Sequence, residues 1–219
     1  MTTHMVVADI DYVEKTVQVT QRTAYVNRTG QSLTEIVFNV EPNRWQNVFA
    51  LADVTTDGNT LAHTLEGKRL AVELPQALNP GCEVQIMLTF RLDMPLIGGD
   101  ISARKGYFGY TPRQMNLGHW LPVVAPLQGD VWITREAFLV GEQDILDQAD
   151  WQVTLNIVGD YEDVQIAAPG QAEELGGGRW RYTLAQARDF SLSLSDQFVV
   201  LVQDVGNDLR AELYTFPEA

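Results

Sequence analysis

The side chains best suited to chemistry in this sequence are few and scattered: His4, His63 and His119, the lone Cys82, and acidic pairs such as Glu173 and Glu174. A zinc site needs three or four N, S or carboxylate ligands converging at about 2 Å, and a helix presents two histidines together only at a spacing of four. No "HExxH" occurs, the three histidines lie far apart, and His4 reads as part of a ragged amino terminus. Structural or solvated roles are therefore expected for all three. Cys82 follows "NPG" where a strand begins, a usual place for a small buried residue, and no histidine stands near it to activate a thiolate. The serines of "FSLSLSD" alternate with apolar residues as on the solvent face of a strand, and there is no "GxSxG" elbow. "LGGGRWRY" could suggest a phosphate cradle, but such loops need a helix amino terminus after them and a strand pattern follows here. Glu173 and Glu174 belong to that hairpin and read as solvated, while "GDYED" lacks calcium-loop spacing. Asn27 opens an "NRT" glycosylation pattern, which matters only for a chain secreted in a glycosylating host. No residue is assigned a catalytic or metal-ligating role.

The balance of 15 Lys and Arg against 29 Asp and Glu gives a formal charge of -14. That charge opposes nucleic acid and anionic membrane surfaces, whose affinity comes from neutralised phosphates. One cysteine allows no internal disulfide, so the fold must rest on its core, and this fits a reducing compartment. No apolar run approaches the roughly 20 residues needed to cross a bilayer. The opening "MTTHMVVADIDY" lacks signal-peptide architecture. Localisation is left open. The chain starts almost at once in a strand pattern and ends in "ELYTFPEA", which reads as a piece of something longer.

The elements that must position any site follow a period of two. In "EVQIMLTFRLDMP" Val84, Ile86, Leu88, Phe90 and Leu92 alternate with polar or longer residues, which places them on one face of a strand. The same pattern runs through Ile36, Phe38 and Val40, through Leu70, Val72 and Leu74, and through Trp151, Val153, Leu155 and Ile157. It returns in Trp180, Tyr182 and Leu184 and in Phe190, Leu192 and Leu194. Turn residues at "NRTGQ", "TDGN", "NPG" and "LGGGR" read as hairpins. One short helical turn fits within 135 to 148. The fold class is all-β, an antiparallel-rich β-sandwich of two or more packed sheets with an irregular central segment from Met94 to Asp130. Long irregular stretches inside compact domains tend to be functional or to pack on another element, which makes this segment the first place to look.

Taken in order, "YVNRTGQSLTEIVFNVEPNRW", "LNPGCEVQIMLTFRLDMP", "NLGHWLPVVAP", "DWQVTLNIVGDYEDVQIAAPG" and "ARDFSLSLSDQFVV" resemble segments of the amino-terminal domain of the M1 family of zinc aminopeptidases, the gluzincins. The matches span most of the chain; each motif alone is weak, and the order carries the resemblance. In "NLGHWLPVVAP" the family pattern is small residue, any residue, Trp, aromatic, Pro, with Leu121 at the aromatic position, so the resemblance gives His119 no ligand role and makes Trp120 and Pro122 packing residues. It implies a single noncatalytic β domain over 1–219, of saddle-like multi-sheet form, acting as scaffold and active-site wall. The zinc, the general-base Glu and the "GxMEN" and "HExxH" motifs would belong to a later catalytic domain of the same polypeptide, which hydrolyses amino-terminal peptide bonds. This chain would hold no cofactor, bind no nucleic acid and insert in no membrane. A Gln of the family's β domain often contacts the substrate amine; its position falls near Tyr110 and Thr111, where no Gln stands, with Gln114 three residues away. These three are the candidates for contact with a peptide substrate.

Tyr107, Phe108 and Tyr110 sit among glycines without alternation, which suggests that some are exposed to meet the catalytic domain. The alternative is that residues 105 to 126 fold back to cap one sheet. Two rival readings of the whole chain are a free-standing β-sandwich binding or adhesion module and a family member that has lost catalysis. The scaffold reading predicts that, after dialysis against a weak chelator, metal analysis finds far less than one zinc per chain; a stoichiometric, tightly held zinc would overturn it.

Overall fold

The computed structural model describes residues 1–98, 106–134, 145–159, 163–206 and 209–217. The helical turn expected within 135 to 148 lies mostly outside these residues. The helical element among them is the 3-10 turn Glu41–Arg44, which Pro42 helps to start.

Eight strands form a large sheet in the order Gln171–Gly176, Arg179–Ala187, Ala149–Val158, Thr2–Asp11, Thr16–Val26, Glu83–Asp93, Phe49–Thr56 and Asn59–Thr60. Neighbours run antiparallel except Thr2–Asp11 and Ala149–Val158, which are parallel with Val6 opposite Val153. A second sheet orders Val123–Val124, Leu33–Asn39, Arg69–Leu78 and His63–Glu66; a third orders Gln165–Ala167, Leu192–Ser195, Met115–Leu117 and Phe108–Tyr110. Among the described residues two further hairpins, Leu127–Gln128 with Val131–Trp132 and Val199–Gly206 with Leu209–Thr215, pair only within themselves.

Alternation decides how these layers stack. The large sheet turns Val6, Ala8, Ile10, Val17, Val19, Ile86, Leu88, Phe90, Trp151, Val153 and Leu155 to one face, where all are buried. Its other face carries Asp9, Gln18, Thr20, Arg22 and Gln85, all exposed. Both smaller sheets must therefore lie against the same side. They contribute Ile36, Phe38, Leu70 and Val72, and Phe108, Met115, Leu117, Leu192 and Leu194, to one continuous cluster. At roughly 1.5–3 kcal/mol for each fully buried side chain, this core replaces any need for a disulfide. Val37 and Ala71, on the opposite face of the second sheet, are buried as well, because Trp132 of the short hairpin packs over them.

Two of the expected hairpins are corners instead. "NRTGQ" carries the chain from Thr16–Val26 of the large sheet into Leu33–Asn39 of the second, and "NPG" carries it back from Arg69–Leu78 into Glu83–Asp93. Asn27 ties the two corners together. Its backbone N–H donates to the Cys82 carbonyl at 2.9 Å, and its own carbonyl accepts from Gly81 N at 2.8 Å. Its side-chain Nδ2 donates to the carbonyls of Leu78 and Gln31 at 2.8 and 2.7 Å, while Oδ1 accepts from Thr29. With Asn27 buried in this way, the glycosylation pattern marks a structural turn. Cys82, expected as a buried packing residue, is exposed and contributes to the corner through its backbone.

His4 is not part of a ragged terminus. It takes an inward position of the strand Thr2–Asp11, stacked on Trp151 with ring centroids 4.2 Å apart. Its Nδ1 lies 3.0 Å from Thr23 Oγ1 and 3.3 Å from Gln21 Nε2, and that amide donates to the Pro122 carbonyl at 2.6 Å. No carboxylate compensates an imidazolium among these contacts, so burial pushes the His4 pKa down to about 3.

Two outcomes follow from these buried groups. Asn27→Ala should lose about 2–3 kcal/mol, because the buried Leu78 carbonyl is left without its donor; the urea midpoint should fall with little change in slope. His4 binds its proton more weakly folded than unfolded, so its stabilising contribution is complete above about pH 6.5 and is lost as pH falls toward about 3. Urea titrations over that window should show stability falling by about 1.4 kcal/mol per pH unit from this group, and His4→Gln should remove that slope.

Candidate functional site

The central segment is held down by one buried carboxylate. Glu41 is 3% exposed and Lys68 2%; the ammonium lies 2.8 Å from Glu41 Oε2, while the Arg44 guanidinium contacts Oε1. The Tyr107 hydroxyl donates to Glu41 Oε1 at 3.0 Å. Trp45, just past the 3-10 turn, stacks on Phe108 at 4.9 Å and meets Tyr107 edge-on at 6.2 Å. Phe108 is consequently a core residue of this chain and offers no surface to another domain, while Tyr107 and Tyr110 are half-buried. Phe108–Tyr110 is a true strand, not an irregular stretch. Gly109 permits it: a Cβ there would lie 2.5 Å from the Pro95 carbonyl and 2.9 Å from Ile97 Cγ1, at φ +128°. Segment 95–97 closes over this strand through Ile97 N to Tyr110 O and Tyr110 N to Pro95 O, at 2.7 and 2.9 Å.

"NLGHWLPVVAP" is a strap from the third sheet to the second. Gly118 lets the chain pass Tyr107, since a Cβ would sit 2.8 Å from the Tyr107 carbonyl. His119 takes φ +51°, a left-handed turn fixed by its N–H and its Nδ1, both on Asp189 Oδ2 at 3.1 and 3.3 Å. Trp120 is fully buried with its indole N–H donating to the Phe190 carbonyl at 2.7 Å. Pro122 receives Gln21, and Val123–Val124 pairs with Leu33–Asn39. Trp120 and Pro122 are packing residues, as expected.

Over this strap lies a 390 Å³ depression lined by Tyr107, Gln114, Asn116, His119, Ser191 and Ser193 among others. Asn116 donates to the Gly106 carbonyl and accepts from Ser193 Oγ, both at 2.8 Å. Asp189 Oδ2 accepts from Ser191 Oγ at 2.5 Å and faces His119. Because the carboxylate stands between serine and imidazole, His119 takes no proton from Ser191, and the group holds the strap without activating a nucleophile.

Gln114 thus comes beside Tyr107, whereas Tyr110 and Thr111 stand apart from that depression. Thr111 opens a tight turn, its Oγ1 accepting from Arg113 N and Gln114 N at 3.2 Å each. The Lys15 ammonium lies 3.6 Å over the Tyr12 ring and 5.7 Å from the Tyr110 ring. Burial lowers the Lys15 pKa, opposed by the charges of Asp196 and Asp11. Ser195, expected on a solvent face, is buried and donates to the Arg113 carbonyl at 2.6 Å. Gln197 Nε2 reaches the Pro112 carbonyl at 3.2 Å, and the Arg113 guanidinium lies 4.0 Å over the Phe216 ring. Sequence reasoning gave no role to Lys15, Tyr12, Asp189 or Phe216, and it read Ser195 as solvent-facing.

The described residues do not fit a zinc ion. His4 is engaged in the core, exposed His63 has Nδ1 2.9 Å from the Leu61 carbonyl, and His119 faces Asp189. Among the described residues no three His, Cys, Asp or Glu side chains converge as metal ligands.

No family model matches this sequence, and no curated protein matches it. Solved structures do match it. An M1 zinc metallopeptidase from Deinococcus radiodurans superposes with a TM-score of 0.55 at 13% identity, covering 97% of this chain and 45% of that one. A two-domain M1 zinc metallopeptidase variant bound to L-arginine gives 0.56 at 12% identity, covering 96% and 45%. A Deinococcus radiodurans variant bound to a Tyr-Ser-Ala substrate gives 0.53 at 13%, covering 97% and 45%. This chain spans less than half the length of these structures, and at such identity the likeness is one of fold. The ordered segments read in the sequence are met at that level: the chain has a fold found within M1 zinc metallopeptidases.

Proposed function

We propose that this chain is the amino-terminal, noncatalytic domain of an M1-like zinc aminopeptidase, acting as a scaffold and as one wall of the active-site cavity. The observation that carries this reading is the asymmetry of coverage: 97% of this chain matches 45% of a metallopeptidase, leaving more than half of that fold for other elements. The order of the sequence segments supports it further. So does the chemistry, since the described residues bring together neither a metal-ligand set nor an activated nucleophile. The zinc and the general base then belong to the rest of the polypeptide. The peptide bound in one matched structure supports peptides as the substrate class.

Within this reading the turn Thr111 to Gln114, with Tyr110 before it, is the part of the wall that meets substrate. The turn is rigid, closed by Thr111 N to Gln114 O at 2.8 Å, so its side chains are presented without a large entropic cost of ordering. Tyr107 and Tyr110, half-buried, remain candidates for contact with the catalytic domain.

The test reads the gene beyond Ala219 and assays the longer polypeptide. The expected result is an "HExxH" downstream and hydrolysis of aminoacyl chromogenic substrates that a chelator abolishes, with no turnover from residues 1–219 alone. Gln114→Ala in the longer polypeptide should raise KM about five-fold, the effect of losing about 1 kcal/mol of hydrogen bonding, with zinc content unchanged. Absence of any metallopeptidase motif would favour a free-standing binding module, and turnover lost by a point mutation within 1–219 would overturn the noncatalytic role.

A further inference from the structure

The inward face of the large sheet is left open at one edge. Residues opposite each other across an antiparallel pair share a face, so Glu174 stands beside Trp180 and Ala172 beside Tyr182. Tyr182 belongs to the core, yet Trp180 is only half-buried and Ala172 and Glu174 are exposed. The core stops short of this edge. Beyond it lies a 1120 Å³ cleft, whose opposite wall is the hairpin Val199–Gly206 with Leu209–Thr215, through Val200, Arg210, Glu212 and Tyr214. Phe198 meets the rings of Tyr214 and Phe216 at 5.9 and 5.1 Å, which holds that wall in place. The cleft is large even for a ligand pocket, for which about 300–1,000 Å³ is usual. Its groups divide into spent charges and unused neutral ones. Glu212 takes the Arg210 guanidinium on Oε1 at 2.5 Å and the Tyr214 hydroxyl on Oε2 at 2.9 Å. Tyr182 packs its ring on Phe190 at 5.8 Å and is 4% exposed, but among the described residues its hydroxyl has no hydrogen-bond partner. Burial, with Tyr214 and Glu212 facing it, raises the Tyr182 pKa, so the hydroxyl points at the cleft and stays a donor. The Trp180 indole N–H is likewise unpaired among the described residues.

We propose that this cleft binds a neutral saccharide, with one sugar ring stacked on Trp180 and its hydroxyls bonded to the Tyr182 hydroxyl and the exposed Gln165 amide at the rim. The site is independent of the metallopeptidase reading. Charge selects against the other ligand classes. A phosphate or acidic ligand needs a free cation, and the one guanidinium lining the cleft is already paired. A ligand cation needs a free carboxylate, and Glu212 is engaged on both oxygens while Glu174 stands at the exposed rim. An acyl chain would bury the Tyr182 hydroxyl and the Trp180 N–H without partners, which is costly. A sugar ring meets both demands at once. Its C–H face carries the slightly positive hydrogens that complement the negative face of an aromatic ring, and the hydroxyls around its edge both donate and accept.

Titration of the 219-residue chain with maltohexaose, cellohexaose, xylohexaose and chitohexaose tests this, with a heparin hexasaccharide, tetramethylammonium and a blocked trialanine peptide alongside. At least one neutral glycan should bind with a Kd of about 1 mM or tighter and shift the tryptophan fluorescence. Trp180→Ala should abolish that shift and weaken binding about ten-fold or more. Tyr182→Phe keeps the ring on Phe190 and removes only an unpaired hydroxyl, so it should leave the urea midpoint unchanged and weaken binding about five-fold. Val7→Asp, at an exposed position on the outer face of the large sheet, should change neither. Failure of all four neutral glycans to bind at about 10 mM would overturn the saccharide class. Tighter binding of heparin, tetramethylammonium or the peptide would overturn it too and reassign the cleft. Glycan binding that Tyr182→Phe leaves intact would place the sugar elsewhere and overturn the site. Binding by the chain that is lost in the longer polypeptide would show that the rest of the polypeptide fills the cleft, overturning the site while the metallopeptidase reading stands.

Discussion

The sandwich depends on the corner that Asn27 closes. Two strands of the large sheet, Thr16–Val26 and Glu83–Asp93, pair over their full length, and two strands of the second sheet, Leu33–Asn39 and Arg69–Leu78, pair beyond them. Both connections between these pairs pass the same point. There the chain must leave one sheet and enter another, so the ladder cannot satisfy its backbone groups. Asn27 supplies the missing partners, with its backbone toward Cys82 and Gly81 and its amide toward Leu78 and Gln31. Fixing this corner fixes the second sheet over the first, and thereby the gap into which Phe38, Phe90 and Leu88 interdigitate.

The third sheet is located differently, by a strap. Trp120 anchors to the Phe190 carbonyl, His119 to Asp189, and Pro122 to Gln21 of the large sheet, so the chain from 117 to 124 is bonded to all three layers. His119 adopts a left-handed backbone here because its amide and imidazole converge on one carboxylate, which offsets a strain of about 1 kcal/mol or more. His119, read in the sequence as structural or solvated, is part of a joint.

The strands were legible because period two is a local signal, and the faces of Glu83–Asp93 and Ala149–Val158 could be read directly. The errors arose wherever pairing is non-local. His4 looks like a polar residue near a terminus until the parallel register sets it opposite Trp151. Cys82 looks like a core residue until the turn before it proves to be a change of sheet. Ser195 extends a polar alternation, yet its hydroxyl is drawn inward by the Arg113 carbonyl. Of the candidate site, Tyr110, Thr111 and Gln114 were singled out by the family resemblance and not by a motif of their own. Lys15, Asp189 and Phe216 were not, because each reaches the turn or the strap through space.

Those long-range contacts join two regions that the sequence keeps apart. The Thr111 to Gln114 turn is bound on its reverse side by Ser195 and Gln197 and is capped by the Arg113 guanidinium on Phe216. Phe216 packs at 5.1 Å against Phe198, which in turn meets Tyr214 at 5.9 Å, so the aromatic cluster at the base of the long hairpin also supports the turn. The hairpin has no hydrogen-bonded partner sheet among the described residues, so this cluster helps to set its angle to the body. The angle of the hairpin and the position of the turn that carries Thr111 and Gln114 therefore share a few aromatic contacts, each worth about 0.5–1.5 kcal/mol.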